Sequence, residues 1–333
     1  MIQLIFLIIV SSTAFQFNSN TSVPLSKKES LIVSNLKQWI GRFASQGIND
    51  NVVINNKLSV RKNNKMGHGV WTKQDIQPGE ALASIPLYSV ITLEEGAYRH
   101  LQMKPILLVL RREFPRLGDL AAFTVVLLLE SRKECGPQDS RWLPYLTAMN
   151  GDLKHHPMFW SIHKIKSNNN LLPQDQELIL NLQKDSMLLY QKLIHNQDII
   201  TYCPSLLVGN TRVTLPEIKW IIGTLMSNLF GVKREQTATR STSKDADIFR
   251  GSAIRISDNK MARLQLSMIP FVDYFNHDSK ALSHYKVDES RKVIDFFSMS
   301  GVKKGEQVFL QYGKELSKSL KMVNYGFEEK EDL

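Results

Sequence analysis

Ile269-Pro270-Phe271-Val272-Asp273-Tyr274-Phe275-Asn276-His277-Asp278 sets four polar side chains, Asp273, Asn276, His277 and Asp278, inside an otherwise apolar and aromatic run. An Asn-His pair among Phe and Tyr is costly to bury unless it is hydrogen-bonded. The pair is therefore either a satisfied core pair or one that faces a ligand. The balance tips toward a ligand because of two later stretches, Gln307-Val308-Phe309-Leu310-Gln311-Tyr312-Gly313 and Asn324-Tyr325-Gly326-Phe327.

The whole chain sets wider bounds. Its 333 residues suffice for one large domain or two modest ones, with an ordinary hydrophobic fraction of 43%. The formal charge of +10 suits an acidic partner or a plastid or nuclear address. The basic residues are spread rather than clustered, so no DNA is specifically implied. Cys135 and Cys203 lie far apart with no Cys-x-x-Cys, which predicts neither a zinc ribbon nor a disulfide framework. Residues 2–10 form an apolar run too short to span a bilayer, and Ser12-Thr13-Ala14 offers small residues for a cleavage site. Lys27 and Lys28 follow, with no acidic residue before Glu29. Residues 1–28 therefore read as a leader that resembles the bipartite plastid leaders of algae with secondary plastids, and no membrane span is expected in the mature chain. The secretory pathway is the alternative address, or cytoplasm or nucleus if the start is misassigned.

Along the chain, residues 31–44 carry apolar side chains at helical spacing, with Gly47 as a stop. Residues 52–54 and 58–60 read as short strands. Lys65-Met66-Gly67-His68-Gly69-Val70 follows; its two glycines let a backbone approach a ligand closely, but the third glycine of a dinucleotide fingerprint is missing. Asp75-Ile76-Gln77-Pro78-Gly79-Glu80 is a turn leading into a strand at 81–85, and Val302-Lys303-Lys304-Gly305-Glu306 echoes it ahead of a strand at 307–311. Between these β-rich ends lies a helical middle. Residues 119–130 read as a buried helix capped by Asp119, 173–195 as an amphipathic one, and Thr214 to Glu217 as a capping box ahead of 218–230. The polar segment 232–247 reads as a mobile surface loop.

These residues together resemble a family. Residues 65–70 with 75–80 look like the opening of a SET domain; Asp273-Tyr274-Phe275-Asn276-His277, residues 305–313 and Tyr325-Gly326-Phe327 look like its close. The middle, with Trp142-Leu143-Pro144-Tyr145-Leu146 and His156-Pro157-Met158-Phe159-Trp160, resembles the Rubisco large-subunit methyltransferase branch. The resemblance implies an α+β fold: a SET domain of short β-sheets with a pseudoknot, interrupted by an all-α insert. The expected divisions are a leader (1–28), an N-terminal helix (29–50), a first SET part (51–100), the insert (101–248), a second SET part (249–327) and a tail (328–333), the family's C-terminal substrate-binding domain being absent. It further implies protein-lysine methylation from S-adenosylmethionine (AdoMet), on a non-histone protein, by a monomer. Met66, Gly67, His68, Gly69, Asn276, His277 and Phe327 are then expected at the cofactor, Tyr325 as the catalytic tyrosine, and Asp273, Tyr285 and Tyr312 at the substrate. No metal is required.

Three departures accompany the resemblance. Met66 stands where Glu is common. The family's cofactor-contacting arginine falls on Ser252, with Arg250 and Arg255 as stand-ins, and the chain ends at Leu333. Other readings are a non-catalytic SET-like module that binds a protein, a protein-histidine methyltransferase, and a metal hydrolase. The last would use Asp273, His277 and Asp278 with His155, His156 or His163, the first pair sharing a helix face.

Overall fold

The computed structural model describes residues 22–44, 54–63, 67–132, 135, 140–149, 153, 155–207, 212–233, 249–250, 264–312 and 317–327. The first β-rich part holds β1 (Ser22–Val23), α1 (Lys27–Ala44), β2 (Leu58–Asn63), β3 (Gly67–Thr72), β4 (Ala81–Pro86) and β5 (Ile91–Thr92). The helical middle follows as α2 (Leu93–Arg99), α3 (Lys104–Glu113), α4 (Asp119–Ser131), α5 (Leu143–Ala148), α6 (Ile162–Lys166), α7 (Pro173–His195), α8 (Gln197–Tyr202) and α9 (Leu215–Asn228). The second β-rich part holds β6 (Leu229–Lys233), β7 (Phe249–Arg250), β8 (Leu264–Met268), β9 (Asn276–His277), β10 (Ser283–Asp288), β11 (Val293–Ser298) and β12 (Gln307–Leu310), and α10 (Lys318–Tyr325) comes last.

Each of the three sheets is built from both sides of the helical middle. Their orders are β1-β2-β3-β12-β9, β10-β11-β4 and β5-β8-β6-β7. The expected α+β architecture with a helical insert is what the chain adopts. One continuous core runs through sheets and insert, with Trp71, Phe123, Phe230, Phe271, Phe275 and Phe296 fully buried in the molecule.

Local chemistry explains most element ends. Helix α1 starts a turn earlier than residue 31, because Ser26 and Glu29 form a reciprocal capping box: the Glu29 amide donates to Ser26 Oγ at 3.2 Å and the Ser26 amide to Glu29 Oε2 at 2.9 Å. Asp119 is not the N-cap of α4. That place belongs to Gly118 at φ 51°, and Asp119 is the first helical residue, paired with Arg111. Helix α4 is buried along nearly its whole length, as its nearly all-apolar sequence requires. Thr214 does cap α9, accepting from the Glu217 amide at 3.3 Å. The helix stops at Asn228, and Val232 and Lys233 continue as strand rather than loop. The rest of the expected 232–247 loop lies outside the described residues, as do the leader through residue 21, Gly47, residues 52–53 and the tail. Among the described residues no helix is long and apolar enough to cross a membrane.

The cysteines correct the sequence reading. Cys135 and Cys203 are joined by a disulfide with Cα atoms 5.0 Å apart, closing a separation of 68 residues. Distance along the chain hid a pairing that tertiary packing creates between residues just beyond the ends of α4 and α8. Beside it, Tyr202 Oη lies 3.0 Å from His100 Nδ1, and His100 Nε2 and Arg99 Nε lie 3.1 and 2.6 Å from Glu130 Oε1. Burial pushes the Glu130 carboxyl up, but the hydrogen bonds from His100 and Arg99 outweigh it and hold the group at about 2. A carboxyl whose folded value is depressed stabilises the fold above its unfolded value near 4.5, and that contribution is lost as pH falls toward 2. Urea midpoints measured across that window should therefore fall with acid more steeply in the parent than in Glu130→Gln. Parallel pH profiles would contradict the ion pair.

Candidate functional site

The sheet edge formed by β3, β12 and β9 brings the two ends of the chain together. Strand β12 pairs antiparallel with β3, Val308 opposite Val70, and parallel with β9, Phe309 opposite Asn276 and Leu310 opposite His277. The Asn276 side chain then reaches past β12: its Nδ2 donates to the His68 carbonyl at 3.0 Å. The Asn-His pair thus lies against the Gly-x-Gly stretch, 208 residues away in sequence.

Both glycines are needed there. Gly67 has φ +72°, a region L side chains rarely occupy. At Gly69 a Cβ would come within 2.4 Å of Gln307 Nε2 and 3.0 Å of Asn276 Nδ2. The absence of a side chain leaves backbone next to the Asn276 amide.

His277 is buried and its Nδ1 accepts from the Tyr312 amide at 2.9 Å. Since Nδ1 accepts, the ring's proton belongs on Nε2 when the imidazole is neutral. The Tyr312 hydroxyl donates to the Phe275 carbonyl. Four rings then close a circuit: His277–Tyr312 at 5.0 Å, Tyr312–Tyr325 at 4.9 Å, Tyr325–Phe327 at 5.6 Å and Phe327–His277 at 6.0 Å between centroids. Tyr312 is buried, whereas Tyr325 and Phe327 are only partly covered. Gly326 makes the turn between them. Its φ is +72°, it ends α10 in the left-handed conformation, and a Cβ there would meet His156 Cα at 2.9 Å and the His155 carbonyl at 3.0 Å.

The remaining expected residues sit variously. Asp273 lies in a 3-10 turn, Val272–Tyr274, where burial and its negative charge push the Tyr274 phenol up. Tyr274 donates to the Ala148 carbonyl at 3.3 Å and stands edge-on to His68 at 6.0 Å. Tyr285 is built into another seam: buried on β10, it stacks on Phe296 at 6.1 Å with its hydroxyl 3.5 Å from the Gly231 carbonyl. Met66, Ser252 and Arg255 lie outside the described residues, and Arg250 is in β7 opposite Phe230.

The geometry disposes of the metal-hydrolase ligand set. Asp273 and His277 do not share a helix, since a 3-10 turn gives way to strand β9 between them. His156 is buried with both ring nitrogens in hydrogen bonds to the backbone. Among the described residues no group of three or more His, Cys, Asp and Glu is placed to hold a metal.

The SET-domain family model matches residues 67–313. The chain belongs to the SET-domain family. The solved structures it resembles include the SET domain of LSMT bound to lysine and AdoHcy, with 18% identity, 90% of this chain and 58% of that one covered, and a TM-score of 0.61. Rubisco LSMT bound to AdoMet follows with 19% identity, coverages of 90% and 56% and a TM-score of 0.58. Rubisco LSMT bound to sinefungin and monomethyllysine gives 19%, 92% and 57%, and 0.58. At this identity they show a shared fold, and the SET chain described here spans 56–58% of their length. No curated protein sequence matches significantly.

Sequence reasoning did not single out the contacts that Gln307 and His156 make beside this SET site. Gln307 had a signal in the strand that carries it, next to the Gly305-Glu306 turn. His156 reads in the sequence as part of a motif or as an alternative metal ligand, because the carbonyl it meets is 168 residues away.

Glycine substitutions separate backbone strain from crowding. Gly79 has φ +78° with nothing within 4 Å of a Cβ, so Gly79→Ala should cost about 1–2 kcal/mol from the left-handed conformation alone. Gly326→Ala, at nearly the same φ, should cost at least ~1 kcal/mol more because backbone stands in its way. Equal losses in urea unfolding would deny the close approach at His155–His156.

Proposed function

We propose that this chain is an AdoMet-dependent protein-lysine N-methyltransferase. The observation that carries the reading is the Asn276–His68 hydrogen bond, which sets the Gly67–Gly69 backbone beside a four-ring aromatic wall. Family membership and the AdoMet and lysine ligands named for the similar LSMT structures support it.

The cradle fits the cofactor on this chain's own geometry. Gly67 and Gly69 present backbone where a Cβ would be strained or blocked, and the Asn276 side chain reaches that stretch across β12. These residues, with Met66, His68 and Phe327, would hold AdoMet. When bound, AdoMet supplies an electrophilic methyl group on a sulfonium.

The chain's own residues do the rest by positioning. Transfer to an amine needs a neutral nitrogen lone pair in line with the methyl. Burial among Tyr312, Tyr325 and Phe327 disfavours the charged ammonium and so lowers the substrate amine's pKa. Phenol oxygens accept hydrogen bonds from that amine and hold its approach. Tyr325 is assigned this role because it is the more accessible phenol, while Asp273 is assigned to the substrate side and Tyr285, packed on Phe296 near Gly231, is left out of it. A second assignment, to Tyr312, is favoured by its hydroxyl being anchored on the Phe275 carbonyl, which fixes the oxygen's place. A protein-histidine substrate would use the same wall.

The proposal extends to a monomeric enzyme whose partner is a protein presenting the target side chain, with no DNA partner and no membrane span. It is addressed to a plastid by a bipartite leader that ends ahead of β1, because Ser22–Val23 and Lys27–Lys28 belong to the fold, a reading supported by the composition of residues 1–21.

Radiolabelled methyl transfer from AdoMet into a native lysate should mark a protein on lysine. A folded chain that binds no AdoMet in calorimetry would instead support a non-catalytic protein-binding module. Tyr325→Phe should lower kcat by about 10²–10³-fold while AdoMet affinity stays within about twofold. A larger loss in Tyr312→Phe would exchange the two roles, and full activity in both variants would remove the phenols from the reaction.

A further inference from the structure

Tyr325 lies outside the SET strands. It sits at the end of α10, and the insert holds that helix. The Asn324 carbonyl, immediately before Tyr325, is one of the last carbonyls of α10, which have no partner within the helix. His156 Nε2 lies 3.0 Å from it. His156 Nδ1 accepts from the Met158 amide at 3.2 Å. One ring nitrogen accepts, so the other carries the proton and donates to Asn324. Complete burial pushes the imidazole down to about 4, the Asn324 contact opposing that only in part, so the ring is neutral across the physiological range.

The surroundings are shaped for this ring. Helix α9 has Gly223 where a Cβ would stand 3.2 Å from His156 Nδ1. A glycine inside a helix costs about 1 kcal/mol relative to alanine, and here it admits the imidazole. Ser227, one turn on, lies 3.1 Å from the same Asn324 carbonyl and 2.9 Å from the Gly223 carbonyl. A hydroxyl has one proton for those two acceptors, so His156 is the dedicated donor.

We propose that His156 is a positioning residue for methyl transfer: its Nε2–H fixes the end of α10, and so the rotation at which Tyr325 enters the four-ring wall. The inference rests on the methyltransferase reading above and adds to it a residue in the insert that touches neither cofactor nor substrate.

The test uses the full chain as His156→Leu, which removes the donor, and His156→Gln, which restores an N–H donor at a similar reach. Each is measured for kcat, AdoMet affinity and amide hydrogen exchange. In His156→Leu, exchange at residues 319–327 should quicken while residues 307–310 keep their protection. Its kcat should fall about 10–100-fold, as a misplacement near 1 Å does, with AdoMet affinity changed less than about threefold. His156→Gln should recover most of both losses. The inference falls if exchange quickens without a change in kcat, which would leave His156 a structural residue only. It also falls if kcat and AdoMet affinity decline together in both variants. A parent chain that transfers no methyl group in any assay overturns the methyltransferase reading itself, and the catalytic claim for His156 with it. The exchange data still report whether the histidine holds the helix, so the two failures are told apart.

Discussion

The hydrogen bond from Asn276 to the His68 carbonyl is the constraint on which the site depends. It joins strands that are not neighbours in the sheet order, since β12 lies between them. Two conditions must hold together for it to form. β12 must register on β3 and β9 at once, and position 69 must lack a side chain, or the Asn276 amide would be displaced. The parallel β9–β12 pair demands a crossover of a dozen or more residues, and the chain fills it with the β10–β11 hairpin, which pairs with β4. One hydrogen bond thereby depends on the register of strands drawn from both ends of the chain.

Loop closure explains why a helical insert is tolerated between β-strands that must meet. Each doubling of loop length adds only about 0.6 kcal/mol of closure entropy. The insert also offsets its own ordering by burial: α4 is mostly apolar and is buried from Leu120 to Glu130. Because so many pairings are non-local, assembly is expected to be slow relative to a helical bundle of similar size. The disulfide and the Glu130–His100–Arg99 cluster both act within the insert, where they tie α2, α4 and α8 into a stiff support.

Much of this was legible in the sequence, and the exceptions have a common cause. The Asn276-His277 pair announced itself because polar side chains in an aromatic run need a reason. The bounds of α7 and the Thr214 cap of α9 follow from local rules that the fold does not override. The early start of α1 was equally local, in Ser26 and Glu29, and was obscured by reading Lys27 and Lys28 as part of a leader. The other differences are tertiary. Asp119 was displaced as a cap because Gly118 takes the positive φ that the entry into α4 requires. Cys135 and Cys203 meet only once the helices pack. Tyr285 goes to a seam between sheets, which spacing after His277 does not reveal. His156 serves a carbonyl that is invisible until α10 is docked.

Polar contacts at the docking surface of α10 explain why this helix has one position rather than several. Its apolar face, including Leu320 and Val323, would pack against the insert in neighbouring registers at similar gain, since apolar burial is not directional. A shift of one residue turns each side chain by about 100°, which would carry Tyr325 out of the ring circuit. Two buried contacts forbid the shift. The Ser319 hydroxyl donates to Asp175 Oδ2 at 2.6 Å and accepts from the Leu172 amide at 3.1 Å, both at the start of α7. His156 holds the Asn324 carbonyl at the other end. In any slipped register both sets of groups would be buried without partners, at about 1–3 kcal/mol for each. The insert therefore acts on the site through register: apolar packing supplies the adhesion of α10, and two satisfied polar anchors select the one rotation that closes the aromatic wall.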